Sequence, residues 1–209
     1  MLSFLFPPIC PLCAKELLDK GEHICKSCSK EQIFIKEPTC YSCGKPMKNH
    51  EKEYCSDCRQ HPKNFERGMG LCIYQKPVTN SLAAIKYKNE RKFAKYYLEE
   101  IQKRKYRDLL QLKIDVIIPV PIHRKKRRKR GFNQAEIFAN GIAEMLNKPM
   151  YTKIVERIHD TKPQKQLNPG ERKSNLKKAF RGNLKEYQRA GMPKRVLLVD
   201  DIYTTGSTA

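Results

Sequence analysis

Two stretches of the chain are almost unbroken aliphatic runs, Ile114 to Val120 and Val196 to Val199. Runs of this kind predict strands buried on both faces, the pattern of parallel sheets. Between them the period changes to a helical one. Ala135, Ala139, Ile142, Ala143 and Leu146 line one face behind Gly131-Phe132-Asn133-Gln134, and Asn147 to Pro149 stop the helix. Residues 150–158 predict another strand and Glu171 to Phe180 a short helix. The polar stretch from His159 to Gly170, with Pro163 and Pro169, predicts a mobile loop over the site. Upstream, Gly68 to Tyr74 reads as a short strand broken off by Pro77. Residues 81–107 read as one basic helix with Phe93, Tyr97 and Ile101 four apart. The order strand, basic loop, helix, strand, long loop, strand specifies an α/β fold with a mostly parallel sheet.

The N-terminal part has no such runs. Eight cysteines form four C-x-x-C pairs instead: Cys10 and Cys13, Cys25 and Cys28, Cys40 and Cys43, Cys55 and Cys58, with the first member recurring every 15 residues. Each pair offers two thiolates from one side of a tight turn, and two such turns complete a tetrahedral zinc site. Eight thiolates suit two closed, structural Zn²⁺ sites, with consecutive knuckles favoured over a cross-braced pairing, and disulfides are the rival chemistry. His23, His50 and His61 lie close by, but the cysteines complete both sites without them. With few long apolar runs, this part is expected to draw most of its folding energy from metal. Cys72, in Leu71-Cys72-Ile73-Tyr74, reads as a small buried apolar residue. Residues 1–62 form the zinc module and 63–209 the α/β domain.

Charge narrows the partners. The 209 residues carry a formal +21, and two zinc-loaded cages would leave about +17. Such a surplus attracts polyanions, nucleic acid first and anionic membrane surfaces second. The apolar stretch from Met1 to Ile9 is too short for a membrane span and lacks the plan of a secretory signal, so a cytoplasmic protein is expected. Seven consecutive cations, Arg124, Lys125, Lys126, Arg127, Arg128, Lys129 and Arg130, follow the strand ending Pro119-Val120-Pro121-Ile122-His123. So dense a cluster is either a solvated loop or a polyanion site, and self-repulsion favours the second. In the helix over 81–107, Tyr87, Tyr96 and Tyr106 interleave with lysine and arginine. That pattern fits either single-strand stacking or a packed helix with a solvated face.

Beyond Val199 stand Asp200 and Asp201, then Thr204, Thr205, Gly206, Ser207 and Thr208. Two carboxylates at the carboxyl end of a strand suit sugar hydroxyls, and the small-residue turn can aim N–H groups and hydroxyls at a phosphate. This string resembles the 5-phosphoribosyl-1-diphosphate (PRPP) loop of type I phosphoribosyltransferases.

Taken together, four features resemble the ComF family of competence proteins: the knuckles, Pro119 to Arg124, Arg130-Gly131-Phe132-Asn133-Gln134, and Val196 to Thr208. A looser fifth runs through Thr161-Lys162-Pro163-Gln164, Leu167, Glu171-Arg172, Asn175 and Ala179-Phe180. The resemblance implies a zinc-ribbon module joined to a type I phosphoribosyltransferase-like domain. It also implies a role in natural transformation, with single-stranded DNA and possible helicase or uptake proteins as partners. Carried onto this chain, Asp200 and Asp201 would contact ribose hydroxyls directly or through Mg²⁺, and Thr204 to Thr208 would hold the 5-phosphate. Ile122, His123 and Arg124 would form the diphosphate loop. The related fold continues past this loop with a helix and a strand, so a C-terminus truncated at Ala209 is expected, with weak PRPP affinity if the chain is complete. Three readings stay open: a DNA-binding competence factor with a PRPP or other sugar-phosphate pocket, an active phosphoribosyltransferase, and a zinc-stabilised scaffold with a relic pocket. No acceptor site is evident for the second.

Overall fold

The computed structural model describes residues 8–17, 23–48, 51–160 and 179–203. The chain divides into two compact units, Met1–Arg104 and Lys105–Ala209.

In the first unit the zinc knuckles build one motif twice, each part recurring 30 residues on. The Cys10 N–H donates to Lys15 O (2.7 Å) and the Cys40 N–H to Lys45 O (2.8 Å). Ala14 N–H and Gly44 N–H close the turns onto the carbonyls of Cys10 and Cys40, both 2.8 Å. The turns need a left-handed residue, and Ala14 (φ 59°) and Gly44 (φ 70°) supply it. The second knuckle of each ribbon opens a short helix, α1 (Lys26–Ser29) and α2 (Ser56–Gln60).

The expected strand over Gly68 to Tyr74 is reduced to one antiparallel bridge, Phe34 with Cys72, flanked by bonds from Ile35 N–H to Leu71 O and Ile73 N–H to Ile33 O. The single helix expected over 81–107 is two, α3 (Val78–Lys88) and α4 (Phe93–Gln111). Asn89 breaks it by taking φ 61°, a conformation asparagine tolerates better than most residues. On α4, Phe93, Tyr96 and Tyr97 are buried and belong to the core, whereas Tyr106 on α4 and Tyr87 on α3 are exposed. Glu100 is also buried, between Lys103 Nζ (3.0 Å) and Arg104 Nε (2.8 Å), and the Arg104 guanidinium covers the Phe34 ring at 3.7 Å. Cys72 is half-buried, and burial, with Glu100 beside it, pushes its thiol up to about 12.

The second unit is α/β with a parallel core, as the alternating pattern predicts. Strand β1 (Val116–Pro119) is buried at every position and pairs in parallel with β4 (Val196–Val199), Val116 opposite Val196 and Pro119 opposite Val199. On its other side, Ile117 bridges Met150 in parallel. The Asp115 carboxylate accepts the N–H groups of Lys194 and Arg195, both 2.9 Å, which fixes that register from below. Helix α6 (Gln134–Leu146) packs on β1 and β4. β4 departs from the expectation of a strand buried on both faces: it is parallel, but Val196 and Leu198 are 43% and 40% exposed.

The stretch 150–158 yields only β2 (Val155–Arg157), antiparallel to β3 (Phe180–Gly182), followed by α7 (Leu184–Arg189) under an Asn183 cap. Val116, Ile118 and Ile154 make one core cluster with Tyr151, Val155 and Tyr187. The expected loop over 159–170 and most of the expected helix over 171–180 lie outside the described residues.

Candidate functional site

In each ribbon the four sulfur atoms converge. The Sγ atoms of Cys10, Cys13, Cys25 and Cys28 lie within 4.8 Å of one another, as do those of Cys40, Cys43, Cys55 and Cys58. Knuckles therefore pair consecutively, as expected. Cys13 and Cys25 stand 3.6 Å apart, Cys43 and Cys55 3.8 Å. A tetrahedral zinc site with Zn–S bonds near 2.3 Å has edges of about 3.8 Å, so both cages have the size and donor set for zinc. All nine cysteines are free thiols.

The backbone prepares the ligands as well. The N–H groups of Cys25 and Cys55 point at Cys10 Sγ (3.5 Å) and Cys40 Sγ (3.3 Å). A hydrogen bond with the Ser27 hydroxyl lowers the Cys25 thiol to about 6. Burial pushes Cys40 up, but the N–H groups of Cys43, Cys55 and Ser42 outweigh it and bring it to about 6. Burial holds Cys28 and Cys43 well above the ordinary thiol range. A doubly charged ion is what makes the full set of thiolates stable together. Four protein ligands leave no open position, so these are structural centres. His23 is engaged elsewhere, with Nδ1 3.0 Å from Glu99. His61 is exposed, and His50 lies outside the described residues.

The second site is assembled where β1 and β4 end side by side. Val120 N–H donates to Val199 O (2.8 Å), so Pro121-Ile122-His123 and Asp200-Asp201 leave the same end of two neighbouring parallel strands. Asp200 is exposed and Asp201 half-buried, and the Asp201 N–H donates to Asp200 Oδ1 (2.9 Å). Thr204, Thr205, Gly206, Ser207 and Thr208 lie outside the described residues.

The sequence reading gave no site role to four residues at this edge. Asn133 is buried; its Nδ2 donates to Val120 O (2.9 Å) and its Oδ1 caps α6 at Ala135 N–H, which ties helix to strand end. Gln134 beside it is buried, and its Nε2 has no partner among the described residues. The Arg157 guanidinium sits 5.3 Å over the Phe180 ring, under the influence of the Asp160 and Asp200 carboxylates, and burial lowers its pKa. The fourth, Asp160, faces the basic segment. Arg157 stood beside Glu156 between the apolar Val155 and Ile158; Asn133 and Gln134 stood inside a motif read as a helix start and as one mark of the family resemblance, with no role given to either.

The seven cations are not a loop. They form helix α5 (Arg124–Arg130), because lysine and arginine are good helix formers and both ends are capped. His123 Nδ1 accepts the Lys125 N–H (3.3 Å), and Gly131 ends the helix at φ 78°. The helix sorts its charges by face. Lys126 Nζ reaches Asp160 (3.2 Å) and Arg127 pairs with Glu136. Arg124, Lys125, Arg128 and Lys129 fall at i, i+1, i+4 and i+5, one contiguous exposed stripe.

Comparison with known proteins follows the same division. Residues 1–59 match the double zinc ribbon domain family. The chain is similar to Competence protein F of Haemophilus influenzae, 39% identical over 99 residues, 47% of this chain and 42% of that one. It is also similar to DNA utilization protein YhgH of Salmonella typhimurium, 34% over 115 residues, 55% of this chain and 48% of that one. Competence protein ComFC of Bacillus subtilis is 30% identical over 93 residues, 44% of this chain and 34% of that protein. The chain spans less than half the length of these curated relatives. No solved structure matches. Two zinc-ribbon cages ahead of a parallel α/β unit, with relatives of these names, support a ComF-family protein with a zinc-ribbon module.

Proposed function

We propose that the protein binds single-stranded DNA during DNA uptake and holds a phosphoribosyl diphosphate, or a related sugar phosphate, at the carboxyl ends of β1 and β4. The observation that carries the first part is the stripe of Arg124, Lys125, Arg128 and Lys129 on α5, exposed while its neighbours face acids. Residues i and i+4 on a helix are about 6 Å apart along the axis, so the stripe offers a two-by-two array of cations to a phosphate chain. The formal +21 adds long-range attraction, and the names of the relatives, two for competence and one for DNA utilization, agree with this role.

The sugar-phosphate part is supported by the Asp200-Asp201 pair beside the Ile122-His123-Arg124 turn. Carboxylates would hold the ribose hydroxyls, directly or through Mg²⁺, and the turn would face the diphosphate. The same arrangement favours the phosphoribosyltransferase reading, in which the bound diphosphate is the leaving group. Among the described residues no helix is long and apolar enough to cross a membrane. The test is titration of zinc-loaded protein with a labelled oligonucleotide and with PRPP–Mg²⁺, separately and together. Oligonucleotide binding supports the first part, and binding that shifts with PRPP links the two. Absence of oligonucleotide binding refutes the DNA role.

A further inference from the structure

The two ribbons are built alike, yet their surfaces differ. Where the first ribbon has Pro11 and Ile24, the second has Tyr41 and Tyr54, 30 residues on. Both ribbons make the same turn and the same N–H to sulfur contacts, so the motif does not require tyrosine at either place. Pro11 is buried, whereas Tyr41 is 60% exposed and Tyr54 39%. The two rings meet edge to face, centroids 6.1 Å apart at 75°, and the Arg67 guanidinium lies 5.6 Å from the centre of the Tyr41 ring.

Separate backbone ties hold this group in place. Tyr41 N–H donates to Glu53 O (2.8 Å), which brings Tyr54 alongside. Gly68 N–H donates to Ser42 O (2.6 Å), which brings Arg67 alongside. Gly44 and Gly68 approach so closely that a Cβ on Gly44 would stand 2.7 Å from Gly68 O. A ring held by its neighbours loses little freedom on binding, and a guanidinium beside it adds a second flat, cationic surface.

We infer that Tyr41, braced by Tyr54 and flanked by Arg67, is a base-stacking platform for single-stranded nucleic acid on the second zinc ribbon. This rests on the single-strand reading above and adds a site to it. Its contribution is stacking rather than charge. Residues 41–67 hold four acids against six lysines and arginines, a small surplus beside that of the whole chain, so the platform grips bases and is tolerant of their identity.

The test uses the full zinc-loaded chain, with a thymidine oligonucleotide and an abasic oligonucleotide of equal length as probes. Tyr41→Ala weakens binding of the thymidine strand about tenfold. The salt dependence stays as in the unaltered protein, because no cation is lost, and the abasic strand is little affected. Tyr41→Phe restores affinity, and zinc content stays at that of the unaltered protein in all variants. The chain has no tryptophan, so Tyr41→Trp supplies a single reporter whose fluorescence the thymidine strand quenches and the abasic strand does not. If Tyr41→Ala binds the thymidine strand as tightly as the unaltered protein, the platform is refuted while the DNA role stands. If the unaltered protein binds neither strand, both fall together.

Discussion

Lys126 Nζ lies 3.2 Å from Asp160 Oδ1, so the inner face of the basic helix α5 rests on a carboxylate 34 residues along the chain. His123 Nδ1 stands 3.9 Å from the other oxygen of the same group. Asp160 pays for little stability of its own, as part-exposed pairs contribute about 0–1 kcal/mol. Its larger effect is on the field around α5. Asp160→Asn removes one negative charge beside the stripe and should strengthen oligonucleotide binding about two- to fivefold at low salt, with the gain shrinking at high salt. Fluorescence anisotropy at two salt concentrations checks this.

The strand-end site and the stripe should separate by mutation. Asp200→Asn with Asp201→Asn should abolish PRPP–Mg²⁺ binding by calorimetry and leave oligonucleotide affinity within about twofold, since neither acid belongs to α5. Equal damage to both activities would mean that the two ligands share one site.

Backbone strain in the ribbons gives a paired prediction. Gly44→Ala places a side chain at φ 70° and against Gly68 O, so it should destabilise the protein by at least about 1–2 kcal/mol. Ala14→Gly at the equivalent turn, φ 59°, should be neutral or stabilising by up to about 1 kcal/mol. Denaturant melts of the zinc-loaded proteins read both.

Glu100 makes the acid response specific. Burial raises its pKa, but the hydrogen bonds from Arg104 and Lys103 outweigh that and hold it below 4.5. A carboxylate with a depressed folded pKa contributes stability above its unfolded value, and that contribution is lost as pH falls through the lower folded value. Between pH 7 and pH 3.5 the unaltered protein should therefore lose more thermal stability than Glu100→Gln does. Measuring Tm for both across that range isolates this residue from the cysteines they share.

How far the sequence could be read depends on where each element's determinants lie. The knuckles were legible because their spacing presents thiolates in pairs, but consecutive pairing was only the favoured choice until the sulfurs of Cys10, Cys13, Cys25 and Cys28 were seen to converge. β1 and β4 were legible as strands because aliphatic runs have few other homes. The exposure of Val196 and Leu198 was not, since it depends on what covers the sheet. The helix α5 was misread as a loop because the pairing of Lys126 with Asp160 and of Arg127 with Glu136 relieves part of its charge through acids distant in sequence. The break at Asn89 is a single left-handed residue inside a helical period. Arg157 was silent, because its placement beside Asp160 and Asp200 depends on the β2–β3 pairing, and β3 has no pattern of its own.

The most direct test of the central claim is the salt dependence of single-strand binding by zinc-loaded protein and by a variant with Arg124, Lys125, Arg128 and Lys129 replaced by alanine. Alanine keeps α5 helical, so the stripe is removed without unfolding the helix, together with Arg124's part in the diphosphate turn. Each phosphate contact on a single strand contributes about −0.7 to the slope of log K against log salt, so loss of four should flatten it by about 2.8. A slope that is the same in both proteins would contradict the stripe as the DNA-binding face.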